Sequence, residues 1–147
     1  MDRIETSSLI HQPVERVFQF ALDPQKLILW QPDILESVLL PADPESSFIP
    51  FRIKTQGWAG FNIEVIIEPT VVTPDKEYVF RTTEIHGWIT SLSQWIFEKV
   101  PGGTRVSVQH DVELHGGLQL LRFAFIKAAR KKHADDLTRL KELLETT

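Results

Sequence analysis

The chain has 147 residues, 42% hydrophobic and 24% charged, with a formal net charge of −4. This is ordinary globular composition: it argues against disorder, and its mild acidity excludes a wholesale electrostatic nucleic-acid binder. The length suits one domain over residues 1–147 with a sizeable core, and the absence of cysteine excludes disulfides, thiolate nucleophiles and cysteine-based metal sites.

Taken in chain order, the start MDRIETSSLIHQP is mixed and polar, without a basic-then-apolar leader. Arg3 to Ile10 alternates loosely and reads as a strand. Pro13 then suits a first helical turn, where its missing N–H has no partner to lose, and Val14, Val17, Phe18 and Ala21 follow at helical spacing. Asp23-Pro24 repeats the start signal, with Asp23 as cap and Pro24 first in a second short helix running to about Trp30, before Pro32.

Strand-like segments follow at hairpin spacing: Ile34 to Leu40, Ile49 to Gln56, Phe61 to Glu68, Tyr78 to Thr82, Trp88 to Glu98 and Thr104 to Leu114. Between them lie the loop PADPESS (41–47), a turn over Gly57–Gly60 around Trp58, and turns at Pro74-Asp75 and Pro101–Gly103. In the last strand Val106, Val108, His110, Val112 and Leu114 share one face, and Arg105, Ser107, Gln109, Asp111 and Glu113 share the other, which implies one buried and one wet face. From Leu118 to about Glu145 there is neither Gly nor Pro. Leu118, Leu121, Phe125, Ala129, His133, Asp136, Leu140 and Leu143 fall within about one-third of a helix circumference. The expected architecture is α+β: a curved antiparallel sheet of about seven strands wrapped around a long C-terminal helix, with two short helices after the first strand. No segment approaches the about 18 apolar residues of a membrane span, so the expected protein is soluble and cytoplasmic, without integral membrane association.

Three segments carry a family likeness. HQPVERVFQFALDPQKLILWQPDILES (11–37) resembles the opening of the START-like, or SRPBCC, superfamily; FEKVPGGTRVSVQHDVEL (97–114) is similar to its penultimate hairpin; HADDLTRLKELLE (133–145) is similar to its closing helix. The resemblance implies a helix-grip fold with a deep cavity between sheet and helix. It also implies relatives among polyketide cyclases/dehydrases, aromatases, and lipid and sterol carriers. The glycine-rich loop of the plant allergen branch is missing, its place taken by PADPESSFIP. No His/Cys iron–sulfur set occurs, which excludes the ring-hydroxylase branch as a catalytic reading.

Nine Phe, four Trp and one Tyr are many rings for so small a chain. The alternation points Phe51, Phe61, Tyr78, Phe80, Trp95 and Phe97 inward; each ring singly also fits a packed core. Phe48, Trp58 and Trp88 flank turns and are candidates to gate an entrance. With Phe97 opposite Val106, Trp95 faces Val108 and Ser93 faces His110, the one polar member of its face. His110 is thus a candidate to orient a ligand, and the only candidate for catalysis, as an acid or base. The expected cavity wall is Phe51, Trp58, Phe61, Ile63, Val65, Tyr78, Phe80, Trp88, Ser93, Trp95, Val108, His110, Leu118, Leu121, Phe125 and Ala129, with Gln94 a further polar contact. His133 and Asp136 have a spacing that can hold a metal, but no further ligands accompany them and a local hydrogen bond is the simpler reading. Arg122 is a candidate for a carboxylate at the cavity mouth. Arg122, Lys127, Arg130, Lys131 and Lys132 form a basic run, read either as a solvated face with Lys131–Asp135 and Lys132–Asp136 pairs or as a contact for an anionic membrane or acidic partner.

The expected function is binding of a hydrophobic or aromatic small molecule, lipid-, polyketide- or sterol-like. The alternatives are a metal-free polyketide cyclase/aromatase-like enzyme using the same cavity, and a protein- or membrane-interaction module. No cofactor, metal or nucleic acid is expected, and a homo-oligomer is open but not indicated.

Overall fold

Short connections between alternating segments dictate antiparallel pairing, and that is how the chain folds. A computed structural model describes residues 1–41, 48–57 and 61–146. The order is β1 (Asp2–Ile10), α1 (Val14–Leu22), α2 (Leu27–Trp30), β2 (Ile34–Leu39), β3 (Phe51–Gln56), β4 (Asn62–Thr73), β5 (Glu77–Glu84), β6 (Ile89–Val100), β7 (Gly103–Leu114), a 3-10 segment (Gly116–Leu121) and α3 (Arg122–Glu145). The seven strands form one sheet in the order β1-β7-β6-β5-β4-β3-β2, every neighbouring pair antiparallel. This is the helix-grip arrangement. The register between β6 and β7 sets Phe97 opposite Val106, Trp95 opposite Val108 and Ser93 opposite His110, as the hairpin spacing anticipates. Residues 42–47 of the PADPESS loop and 58–60 of the Trp58 turn lie outside the described residues.

Some boundaries move, for local reasons. Asp23 Oδ1 accepts the Gln25 N–H at 2.9 Å, so residues 23–26 are consumed by a turn and α2 begins only at Leu27, rather than at Pro24. β4 continues past Glu68 to Thr73 because a register shift between Pro69 and Val71 accommodates a proline that cannot donate to the ladder. The long helix starts at Arg122, not Leu118: Gly116 takes φ 63°, and the following residues tighten into a 3-10 segment first.

The connections define two ends. At one, β1 finishes and the β4–β5 and β6–β7 turns lie. Here Ile10, Val14, Val17, Phe18, Phe97, Val106, Leu140 and Leu144 are buried together, and Phe18 meets Phe97 edge-on with centroids 5.1 Å apart. The C-terminal turn of α3 is tied to the same end. Glu145 accepts the His11 N–H at 3.0 Å, and Lys141 Nζ donates to the Leu9 carbonyl at 2.5 Å. At the other end, where β3–β4, β5–β6 and β7–α3 connect, a smaller cluster of Ile4, Val112, Leu114 and Ile126 joins the first turns of α3 to β1 and β7.

Candidate functional site

Between the concave face of the sheet and α3 lies a cavity of about 640 Å³. Its walls follow from strand alternation. Phe51, Ile53, Ile63, Val65, Ile67, Tyr78 and Phe80 face in from β3, β4 and β5, while Trp95 and Val108 lie toward the closed end. Leu22, Leu27, Trp30 and Ile34 close the side nearest α1 and α2, and Phe125, Ala128 and Ala129 come from α3.

The remaining wall is polar and concentrated. Thr82, Ser91, Ser93 and His110 come from neighbouring strands, and Lys132, His133 and Asp136 from one flank of α3. Ser93 Oγ and His110 Nδ1 share a 2.6 Å hydrogen bond, with both residues buried. The His110 and His133 rings stack with centroids 4.0 Å apart and planes 24° apart. Burial, then the Lys132 charge, pull the His110 imidazole down to about 4, against an opposing pull from Asp111. Burial holds His133 well below the ordinary histidine range, reinforced by His110 and Lys132. Both rings are therefore neutral near pH 7, and each neutral imidazole offers one donor and one acceptor. That is also what allows them to stack, since two imidazolium ions in this contact would repel.

Asp136 is buried and accepts from Lys132 Nζ at 2.6 Å and Arg139 Nη1 at 2.8 Å. Burial holds its carboxyl above the usual carboxylate range, with Lys132 and Arg139 opposing that shift. Lys132 also lies 4.0 Å from Asp33 at the start of β2. The Asp136 oxygens are held by Lys132 and Arg139, and no group of three or more potential metal-ligating side chains occurs among the described residues. Burial pushes the Tyr78 phenol up, so it stays protonated in the wall. The indole N–H groups of Trp30 and Trp95 have no hydrogen-bond partner, and their rings meet edge-on at 5.8 Å.

Of the residues expected in the wall, Phe51, Ile63, Val65, Tyr78, Phe80, Ser93, Trp95, Val108, His110, Phe125 and Ala129 line the cavity. Four others do not. Phe61 precedes β4 and Trp88 precedes β6, so neither is oriented by the pleat, and both are exposed. Leu118 and Leu121 fall in the 3-10 segment rather than on α3: Leu118 packs against the Ile4 cluster, and Leu121 is exposed. Trp58 lies outside the described residues. Phe97 is buried in the closed-end core. Gln94 is on the opposite face of β6, where it donates to Glu77 at 2.6 Å. Arg122 pairs with Asp2 at 2.9 Å and does not line the cavity. The sequence reading missed the contributions of α1 and α2 and did not place Lys132, His133 and Asp136 in the wall. The spacing of Phe125, Ala129, Lys132, His133 and Asp136 on one helical flank was the available signal.

A family model described as "Polyketide cyclase / dehydrase and lipid transport" matches residues 1–145. No curated protein matches the chain. Among solved structures it is similar to TTHA0849 from Thermus thermophilus, at 19% identity with 97% of each chain covered and a TM-score of 0.81. It is similar to the di-domain ARO/CYC StfQ from the steffimycin biosynthetic pathway, at 13% identity and a TM-score of 0.78, covering 98% of this chain and 51% of that one. Ara h 8.0201 is similar at 11% identity, 99% coverage of both chains and a TM-score of 0.76. At such identities the likeness is one of fold.

Proposed function

The chain belongs to the polyketide cyclase/dehydrase and lipid-transport family, and from that premise we propose that it binds a small molecule with an extended apolar or aromatic body and one polar, uncharged group. The observation that carries this reading is the division of the cavity. Aromatic and aliphatic side chains form the sheet wall, and hydroxyls and neutral imidazoles gather around Ser93, His110 and His133. Burial of apolar ligand surface would supply affinity, and a few fixed polar atoms would orient the molecule. A carbonyl or hydroxyl on the ligand suits a neutral imidazole, which can give or take one hydrogen bond. A free carboxylate in the same place would have to be desolvated without a permanent counter-charge on the histidines.

Native mass spectrometry of purified protein tests this. A carried-over apolar molecule, lost when Ala128→Leu fills the cavity, is the expected result. An empty protein that also fails to take up added aromatic or lipid-like ketones would overturn it.

A second reading is favoured by one observation, the 2.6 Å hydrogen bond between the buried His110 imidazole and the Ser93 hydroxyl inside the cavity. A neutral imidazole in a dry site can accept a proton from a carbon acid or hydroxyl and return it elsewhere on a folded chain, as a cyclase/aromatase-like reaction requires. In that case His110→Ala removes turnover while ligand uptake persists. Unchanged turnover would remove His110 from the chemistry.

A further inference from the structure

The three connections at the hollow end carry large apolar side chains into solvent. Leu120 and Phe123, at the β7–α3 junction, are 90% and 86% exposed, Phe61 before β4 is 74% exposed and Trp88 before β6 is 57% exposed. Ile85 in the β5–β6 connection is exposed as well. These segments lie side by side. The His115 N–H donates to the Trp88 carbonyl at 2.8 Å and the Ile85 N–H to the Glu64 carbonyl at 3.0 Å, while Thr90 Oγ1 and His115 Nε2 are 3.0 Å apart. The cavity wall reaches the same end through Gln56, Gly57, Ile63 and Ile89. At the opposite end the β4–β5 and β6–β7 turns present Pro74, Asp75, Lys76, Pro101 and Gly102, and the β2–β3 connection adds the aliphatic Leu39 and Ile49 without an exposed aromatic ring.

Charge is segregated too. Residues 118–134 carry five basic side chains and no carboxylate in a chain whose net charge is −4. Arg122, Lys131 and Lys132 are paired with Asp2, Asp135 and Asp136. Lys127 and Arg130 are exposed; at four and seven residues beyond Phe123 they share its flank of α3. Glu113 at the end of β7 is an exposed carboxylate at this end.

We propose that this end docks on an anionic lipid bilayer, with Leu120, Phe123 and Trp88 entering the headgroup–acyl boundary and Lys127 and Arg130 lying against acidic headgroups. Aromatic rings and short aliphatic tips with flanking cations are the composition that favours the membrane interface. Side chains scattered over three separate connections suit a deformable lipid surface better than a rigid protein partner. The consequence for the cavity is that an apolar ligand can pass between bilayer and interior at one end of the molecule. Docking itself does not require an occupied cavity.

The test is co-sedimentation with vesicles of phosphatidylcholine containing one-third phosphatidylglycerol, against phosphatidylcholine alone. The protein is expected to bind the anionic vesicles more strongly. Leu120→Ser with Phe123→Ser should abolish binding, and both sites are exposed enough to spare the fold. Lys127→Gln with Arg130→Gln should weaken it roughly 25-fold, on the basis of about fivefold per basic residue at a bilayer surface. Ile49→Ser, an exposed apolar position outside this face, and His110→Ala in the cavity should bind as the parent does, the latter separating docking from ligand binding. Absence of binding to anionic vesicles, equal binding by the Leu120/Phe123 variant, or a concentration-dependent dimer that the same two substitutions dissolve would each overturn the proposal. The last outcome would assign the face to a second copy of the chain.

Discussion

The two ends of the molecule are built from the same strands and the same helix, yet one is solid and the other hollow. At the closed end the concave face carries Phe97 and Val106, and α3 answers with Leu140 and Leu144, while α1 adds Val17 and Phe18. Farther along the same strand faces stand Ser93, Ser91 and Thr82, and α3 offers Ala128 and Ala129. A row of hydroxyl- and methyl-sized side chains cannot span the distance that phenylalanine and leucine span. The volume gradient along the strands therefore makes the cavity, without any change in backbone architecture. Polar groups collect in the hollow half because a cavity lets them keep partners that a dry core would deny.

The comparison predicts unequal responses to substitution. The largest is at the closed end: Leu140→Ala should cost about 2–5 kcal/mol in urea unfolding, since Leu140 is fully buried and a truncated side chain there leaves a void in packed surroundings. An effect below about 1 kcal/mol would mean that this end is not solid.

Next comes acid sensitivity of the hollow half. His110 has its folded pKa depressed, to about 4 from 6.5, so between those values the unfolded chain binds more protons than the folded one. The associated stability is complete above pH 6.5 and is lost as the pH falls toward 4. For His110 this amounts to a loss on the order of 3 kcal/mol, with His133 acting in the same direction. Urea midpoints across this range should fall steeply for the parent and less steeply for His110→Gln with His133→Gln. Equal slopes would show that other groups govern acid unfolding.

Ser93→Ala comes third. It leaves His110 Nδ1 without its buried partner and should cost about 1–3 kcal/mol, read as a urea midpoint shift, while Ser93→Thr restores part of the loss. The smallest effect on stability is expected from Ala128→Leu. Added atoms enter empty space rather than a packed core, so the change should stay under about 1 kcal/mol while ligand uptake disappears. Serious destabilisation by Ala128→Leu would contradict the hollow assignment.

How much was legible in the sequence can be seen residue by residue. Strict alternation in Thr104–Leu114 put His110 on the face of Val106 and Val108, and one register across the Pro101–Gly103 turn, Phe97 opposite Val106, brings Ser93 to His110. A slip by one residue would reverse the faces, and the structure has the first register. The same parity rule misplaced Phe61, which stands before β4 where no pleat orients it, and Trp88, expected in the wall from its place beside a turn, stands just before β6. A helical stripe started too early put Leu118 and Leu121 on α3, since helix propensity does not register the 3-10 turn that Gly116 introduces. Lys132, His133 and Asp136 were visible as a charge run and a possible local pair. That they share a wall with His110 depends on which flank of α3 turns toward β6 and β7.

By itself, then, the sequence determined the order and kind of the elements, the antiparallel pairing and the concave faces. These follow from local periodicity, turn chemistry and short connections, all of which act within a few residues. Tertiary structure alone decided that the interior divides into a filled half and an empty half, and that the His110 and His133 rings stack there. It also decided that the exposed apolar tips of three distant segments gather around one end. Each is a sum of side-chain volumes or a meeting of residues remote in sequence, and neither quantity exists until the sheet has curved around the helix.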